Sequence, residues 1–123
     1  NIGLMAEKRA VLGLIEKIVV FGPDNNEEKV IARIDSGATA SSIDFKLSAK
    51  LGLGPITRTK IVKSASGVKR RPIIIVKVRV GKKEIEAEFT LADRAHMTYP
   101  VLIGQNILQE GNFLIDPNKG GKK

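Results

Sequence analysis

The chain has no cysteine, a single histidine and few aromatic residues, 4% of 123. Without cysteine there is no disulfide framework and no thiolate chemistry, and the commonest zinc ligand is missing. One histidine, His96, cannot furnish the three or so protein ligands that a hydrolytic zinc site needs, and no zinc-protease helix motif accompanies it. It is expected in a loop near Arg94. For the same reason Ser41 and Ser42 make a poor case for a serine hydrolase, since no histidine completes a believable triad. No apolar run approaches the roughly 20 residues needed to span a bilayer. No glycine-rich loop followed by Lys and Ser or Thr marks an ATP site. Neither a cofactor nor a metal is expected.

What is present is globular in kind, with 42% hydrophobic and 28% charged residues, in a length suited to one domain. The expected division is an N-terminal extension over residues 1–10, one domain over 11–116, and a disordered basic tail over 117–123. Residues 1–10 lack a basic segment followed by a long apolar stretch, so no secretory signal is expected and the cytoplasm is favoured, with Met5 a candidate natural start. Net charge is +8. The basic residues thicken at Lys60, Lys63, Lys69, Arg70, Arg71, Lys77, Arg79, Lys82 and Lys83, an excess that attracts acidic peptides or polyanions. No aromatic residues are interleaved with them, which makes a solvated lysine-rich surface the plainer reading and nucleic acid the least favoured partner.

Hydrophobic periodicity predicts a mainly antiparallel all-β chain with one or two short helices. Residues 11–21 read as a strand, broken by Gly22, Pro23, Asp24, Asn25 and Asn26 before the β-branched run 30–34. Asp44 is placed to cap a short helix whose stripe is Phe45, Leu47, Ala49 and Leu51, with Gly52 ending it. A strand through Thr59, Ile61 and Val62 leads into a small polar hairpin tip, Ser64, Ala65, Ser66 and Gly67. Pro72 then precedes a strand with clean alternation at Val76, Val78 and Val80, and Gly81 with Lys82 turns into another through Ile85, Ala87, Phe89 and Leu91. The apolar triplet Val101, Leu102 and Ile103 ends at Gly104, a helical turn follows through Gln105, Asn106, Ile107 and Leu108, and Phe113, Leu114 and Ile115 make a last strand. Asp93 and Arg94 are read as a structural ion pair at a strand end, and Asp116 before Pro117 as a strand terminator.

Asp35 sits at the end of the run 30–34 and opens the turn Asp35, Ser36, Gly37, Ala38, Thr39. A carboxylate delivered by a strand end into a glycine turn suits acid/base work, because rigid scaffolds place reactive groups there and glycine permits close approach. Asp-Ser-Gly also describes an ordinary turn. There is no internal repeat and no second copy of the turn, so chemistry requiring two such carboxylates must recruit another chain.

The order of parts is more specific than the turn: strand into Asp35 to Thr39, then Ser41, Ser42 and Ile43, the hairpin Ser64 to Gly67, and the triplet into Gly104, Gln105 and Asn106. That order resembles the retropepsins, the single-domain aspartic proteases. It is most similar to their bacterial and archaeal branch named ATP-dependent zinc proteases and associated with ATP-grasp glutamate ligases, on the segments Val62, Lys63, Ser64, Ala65, Ser66, Gly67 and Asp93, Arg94, Ala95, His96, Met97, Thr98, Tyr99, Pro100. The resemblance implies a closed retropepsin-like β-barrel, a homodimer, a peptide substrate and Asp35 as the catalytic carboxylate. It further implies that Ser36 hydrogen bonds across a twofold axis, that Gly37, with Ala38 and Thr39, supports the substrate, and that Ser64 to Gly67 form a flap tip. Ile103, Gly104 and Asn106 would support the site, Gly104 by letting the following helix approach closely. Gln105 departs from the arginine usual in relatives and removes an ion-pair anchor, and the loop before the flap is shorter than in bacterial members. Any ATP dependence would belong to a partner.

Two classes of function follow: a homodimeric aspartic peptidase, on acidic or glutamate-rich substrates, or the same fold as a non-catalytic binding or regulatory module for a ligase or ribosomal partner.

Overall fold

The structure, a computed structural model, describes residues 8–120. Residues 1–7 of the expected extension and 121–123 of the expected tail lie outside the described residues. The order of elements is β1 (Val11–Leu12), β2 (Ile15–Phe21), β3 (Glu27–Ile34), β4 (Ser41–Asp44), α1 (Phe45–Leu51), β5 (Arg58–Ser64), β6 (Gly67–Val80), β7 (Lys83–Ala92), β8 (Val101–Ile103), α2 (Gln105–Glu110) and β9 (Leu114–Ile115). Strands β2-β3-β8-β4-β7-β6 pair in that order and β2 pairs again with β6, which closes a six-stranded barrel; β5 extends from β6 as the arm of a hairpin. Most pairings are antiparallel, but β3 runs parallel to β8 and β4 parallel to β7.

The alternation read in the sequence sorts side chains across the barrel wall. Val76, Val78 and Val80 point inward at 1%, 0% and 0% exposure. Their cross-strand partners include Ala87 and Ile85, while Ile74 faces the fully buried Phe89. Such β-branched and aromatic pairs are the unit of sheet stabilisation. Lys77 and Arg79 point outward, where both pair with Glu84 and lie over the Phe21 ring. These hydrogen bonds lower the Glu84 pKa.

Three expectations are corrected. The single strand over 11–21 is two: β1 leaves the barrel to pair in parallel with β9, and β2 begins at Ile15. The helix does bury Leu47 and Leu51, but with Ser48 rather than with Phe45 and Ala49, which are exposed. Asp44 occupies the capping position in backbone only. As the last residue of β4, opposite Ala92 of β7, its carboxylate instead accepts the backbone N–H of Arg94 at 2.8 Å. Gly52 ends α1 as expected, in the left-handed conformation at φ 71°. At the other end of the domain residues 117–120 turn back, with Lys119 donating its backbone N–H to Asp116 and pairing with Glu16 at 2.8 Å.

Candidate functional site

Parallel β3 and β8 end side by side, Ile34 opposite Ile103, and the chain leaving β3 is Asp35. The Asp35 N–H donates to the Ile103 carbonyl at 2.9 Å, so the turn starts as a continuation of the ladder. Within the turn Ala38 N–H donates to the Asp35 carbonyl at 3.2 Å and Gly37 N–H to Asp35 Oδ1 at 2.9 Å. The carboxylate is thus oriented by its own loop, half-buried, beside the exposed Ser36 and Gly37. Gln105 clamps the turn from α2: its N–H donates to the Ala38 carbonyl at 2.7 Å and its Nε2 to the Ser36 carbonyl at 2.8 Å. Where the resemblance implies the loss of an ion-pair anchor, Gln105 therefore supplies an anchor of its own, an amide reaching backbone.

Gly104 is where the turn comes closest to β8. A Cβ there would meet the Ala40 carbonyl oxygen at 2.4 Å and that of Ala38 at 2.8 Å. The approach is by the segment after Asp35, not by the following helix as expected. Beneath it Ser41, fully buried, accepts the Gly104 N–H at 2.9 Å and donates to Asn106 Oδ1 at 2.7 Å. Asn106 Nδ2 in turn donates to the Glu88 carbonyl of β7 at 3.0 Å. Ser41 and Asn106 thereby tie β4, β8, α2 and β7 together directly under the turn. Asn106→Ala leaves a fully buried hydroxyl without its acceptor, so a loss of about 1 to 3 kcal/mol is expected in a chemical denaturation curve.

The hairpin β5–β6 carries the expected tip, with Ala65 and Ser66 as a two-residue turn between the paired Ser64 and Gly67. Residues directly opposite share a face. Arg58 with Ile73, Lys60 with Arg71 and Val62 with Lys69 therefore lie on one face, and Ile61, Lys63, Val68 and Arg70 on the other. The first face looks toward the Asp35 turn: Arg58, Lys60 and Ile73 line a cavity of about 180 Å³ with Thr39 and Ala40. Arg58 is spent there on Glu88, at 3.2 and 2.7 Å. The hydrogen bond holds the Glu88 carboxyl below its ordinary pKa and raises that of Arg58. The basic segment of the sequence is thus divided: Lys60, Lys69 and Arg71 share the face of the hairpin that bounds the cavity, whereas Lys77 and Arg79 are matched on the barrel wall.

The structure corrects the pairing of Asp93 with Arg94. Asp93 Oδ1 accepts from the Ala95 N–H at 3.0 Å, while the buried Arg94 donates to the Tyr99 carbonyl at 3.0 Å and to Ser42 Oγ at 3.1 Å. Sequence adjacency suggested the wrong partner because β4 brings Ser42 and Asp44 alongside. His96 is exposed in the same loop. The residues do not fit the zinc of the branch's name: among the described residues no three His, Cys, Asp or Glu side chains are grouped to hold an ion. No described helix is long and apolar enough to cross a membrane.

Solved structures share this architecture. A Legionella pneumophila protein of unknown function superposes with a TM-score of 0.64 at 20% identity, over 94% of this chain and 98% of that one. The EIAV protease, solved with an inhibitor, gives 0.61 at 18% identity over 87% and 91%. The simian foamy virus protease gives 0.56 at 18% identity over 76% and 92%. These likenesses establish a retropepsin-like fold. Among curated proteins none matches the chain. A family profile described as RimB-like, retropepsin-like aspartic endopeptidase RimB, matches residues 51–120, which takes in the β5–β6 hairpin, the Arg94 loop and Gly104 to Asn106 and begins after the Asp35 turn. With more than half of its length matched, the chain belongs to the RimB-like family of retropepsin-like aspartic endopeptidases.

Proposed function

We propose that the protein is a homodimeric aspartic peptidase in which the Asp35 carboxylates of two copies meet across a twofold axis and activate water for attack on a peptide carbonyl. The observation that carries this reading is one carboxylate at the end of parallel β3 and β8, oriented by the Gly37 N–H in a turn anchored by Ile103 and Gln105, whose Thr39 shares a cavity with a hairpin of flap form. Two carboxylates a few ångströms apart cannot both be ionised, so the pair shares a proton; one member takes a proton from water while the other donates to the substrate carbonyl oxygen. One chain offers one such turn, so the second carboxylate comes from a second copy. The exposed Ser36 is positioned to hydrogen bond across the axis, Gly37 to Thr39 to line the peptide, and Ala65 and Ser66 to close over it.

The substrate in this reading is acidic or glutamate-rich, because Lys60, Lys69 and Arg71 share the face of the hairpin turned toward the turn. Association with an ATP-grasp glutamate ligase, a source of such chains, and a cytoplasmic location belong to the same proposal and rest on the sequence alone. Sedimentation across a concentration series is expected to show a monomer–dimer equilibrium, with cleavage of a glutamate-rich peptide tracking the dimer fraction and weakening with added salt. A protein that stays monomeric at the highest concentration and yet cleaves would overturn the paired mechanism.

A further inference from the structure

Arg94 is only 8% exposed, yet among the described residues it forms no ion pair. Two of its nitrogens are engaged by neutral acceptors, Nε by the Tyr99 carbonyl and Nη1 by Ser42 Oγ. The Asp44 carboxylate nearby accepts Arg94's own backbone N–H at Oδ1 and acts on the guanidinium through its charge, not through a direct bond. That of Asp93 is exposed and turned to Ala95. Burial lowers the guanidinium's pKa, which Asp44 opposes and Arg33 reinforces, but a guanidinium keeps its proton in any protein. A buried guanidinium whose direct acceptors are neutral and whose charge Asp44 offsets only through space keeps capacity for a further anion brought from outside.

The surroundings say where that anion would sit. Arg94 borders a cavity of about 280 Å³ with Ala38 and Ala40 of the Asp35 turn segment, Leu102 of β8 and Met97. Arg71, from the face of the hairpin that looks toward the turn, also lines it, as does Asp93, whose Oδ1 is held by the Ala95 N–H. Ala40 and Thr90 also line the cavity under Arg58 and Lys60, so the two cavities adjoin. Alanine, leucine and methionine side chains suit a short methylene stem, and the two arginines among the lining residues suit a carboxylate, which a guanidinium engages through two parallel N–H bonds.

We propose that Arg94, with Arg71 closing from the flap, forms a subsite that binds one glutamate side-chain carboxylate of the peptide beside the Asp35 turn. The inference rests on the reading of this side of the barrel as a peptide cleft. It assigns selectivity to a buried fork held by Tyr99 and Ser42, whereas Lys60 and Lys69 provide only a general field. Arg94 is then a specificity residue: its removal acts on charged peptides and spares neutral ones of the same shape.

The test reads binding without turnover. In the Asp35→Asn protein, fluorescence polarisation compares a labelled tetraglutamate peptide with its tetraglutamine counterpart. The glutamate peptide is expected to bind at least about tenfold more tightly, and Arg71→Gln and Arg94→Lys each to remove most of that preference while leaving the glutamine peptide unchanged. Equal binding of the two peptides, or equal loss of both in the variants, overturns the subsite. Should Arg94→Lys lose its melting transition, the Arg94 Nε–H resonance of the otherwise unaltered chain decides: it shifts saturably with the glutamate peptide, or the proposal fails. Wild-type protein that cleaves nothing while its Asp35→Asn form keeps the charge preference would sink the peptidase reading and leave the subsite standing. Wild-type cleavage indifferent to glutamate would do the reverse.

Discussion

Asp35→Asn is expected to abolish peptide cleavage, lowering kcat/KM by about 10³-fold or more, because in the proposed mechanism both copies lose the group that accepts a proton from water and the group that returns one. Little else should change. Asparagine is close to isosteric with aspartate, and its Oδ1 still accepts the Gly37 N–H, the contact that orients the side chain at 2.9 Å. The backbone bonds of the turn to Ile103 and from Gln105 do not involve the side chain. The variant should therefore melt near the wild-type temperature and sediment as the wild type does. Product analysis by mass spectrometry on a glutamate-rich peptide mixture provides the rate, and a variant that cut at the wild-type rate would remove Asp35 from the chemistry. A variant that also lost its fold would show that the turn is built around a charge, contrary to the half-buried setting of the carboxylate.

The parts of the fold most legible in the sequence were those governed by local rules. Strands β6 and β7 alternate because one face is buried, and their turn at Gly81 and Lys82 is where the sequence placed it. Gly52 ends α1 for a reason that one residue carries by itself. What escaped was set by distant strands. Nothing in Ser41 and Ser42 announces a strand, yet β4 runs through them in the centre of the sheet. Ser41 tolerates complete burial only because Gly104 and Asn106, far along the chain, satisfy its hydroxyl. The same strand carries off the Asp44 carboxylate from the helix it was expected to cap and gives Arg94 a partner in Ser42. Asp35 was readable as a candidate because strand, acid and glycine are adjacent in sequence. The hairpin's sidedness required the register, since a shift of one residue would exchange Lys60 and Arg71 for Ile61 and Arg70 on the face toward the turn.

Gly104→Ala should be the most damaging single methyl group that can be added near the site. The backbone conformation of Gly104, φ −103° and ψ −168°, is open to any residue, so the cost is not one of strain. It is collision. The new Cβ would lie 2.4 Å from the Ala40 carbonyl oxygen, 2.7 Å from the Ala40 carbonyl carbon and 2.8 Å from the Ala38 carbonyl oxygen. Those atoms are backbone and cannot rotate aside. The Ala38 carbonyl accepts the Gln105 N–H, and Ser41, next after Ala40, accepts the Gly104 N–H. Relief therefore requires the segment after Asp35 to lift away from β8, stretching both bonds and uncoupling the turn from α2. A loss of about 3 kcal/mol or more is expected, at or beyond the upper end for overpacking because no flexible side chain absorbs the clash. The signature separates this from a mere core defect: kcat for a glutamate-rich peptide should fall much more than the remaining folded fraction does, since the turn that holds Asp35 is the part displaced. Asn106→Ala is the control, because it removes a bond under the same turn without adding an atom, and should lower stability with a smaller loss of kcat per folded molecule. Equal stability of Gly104→Ala and wild type in urea would mean that the turn does not rest on β8 in solution.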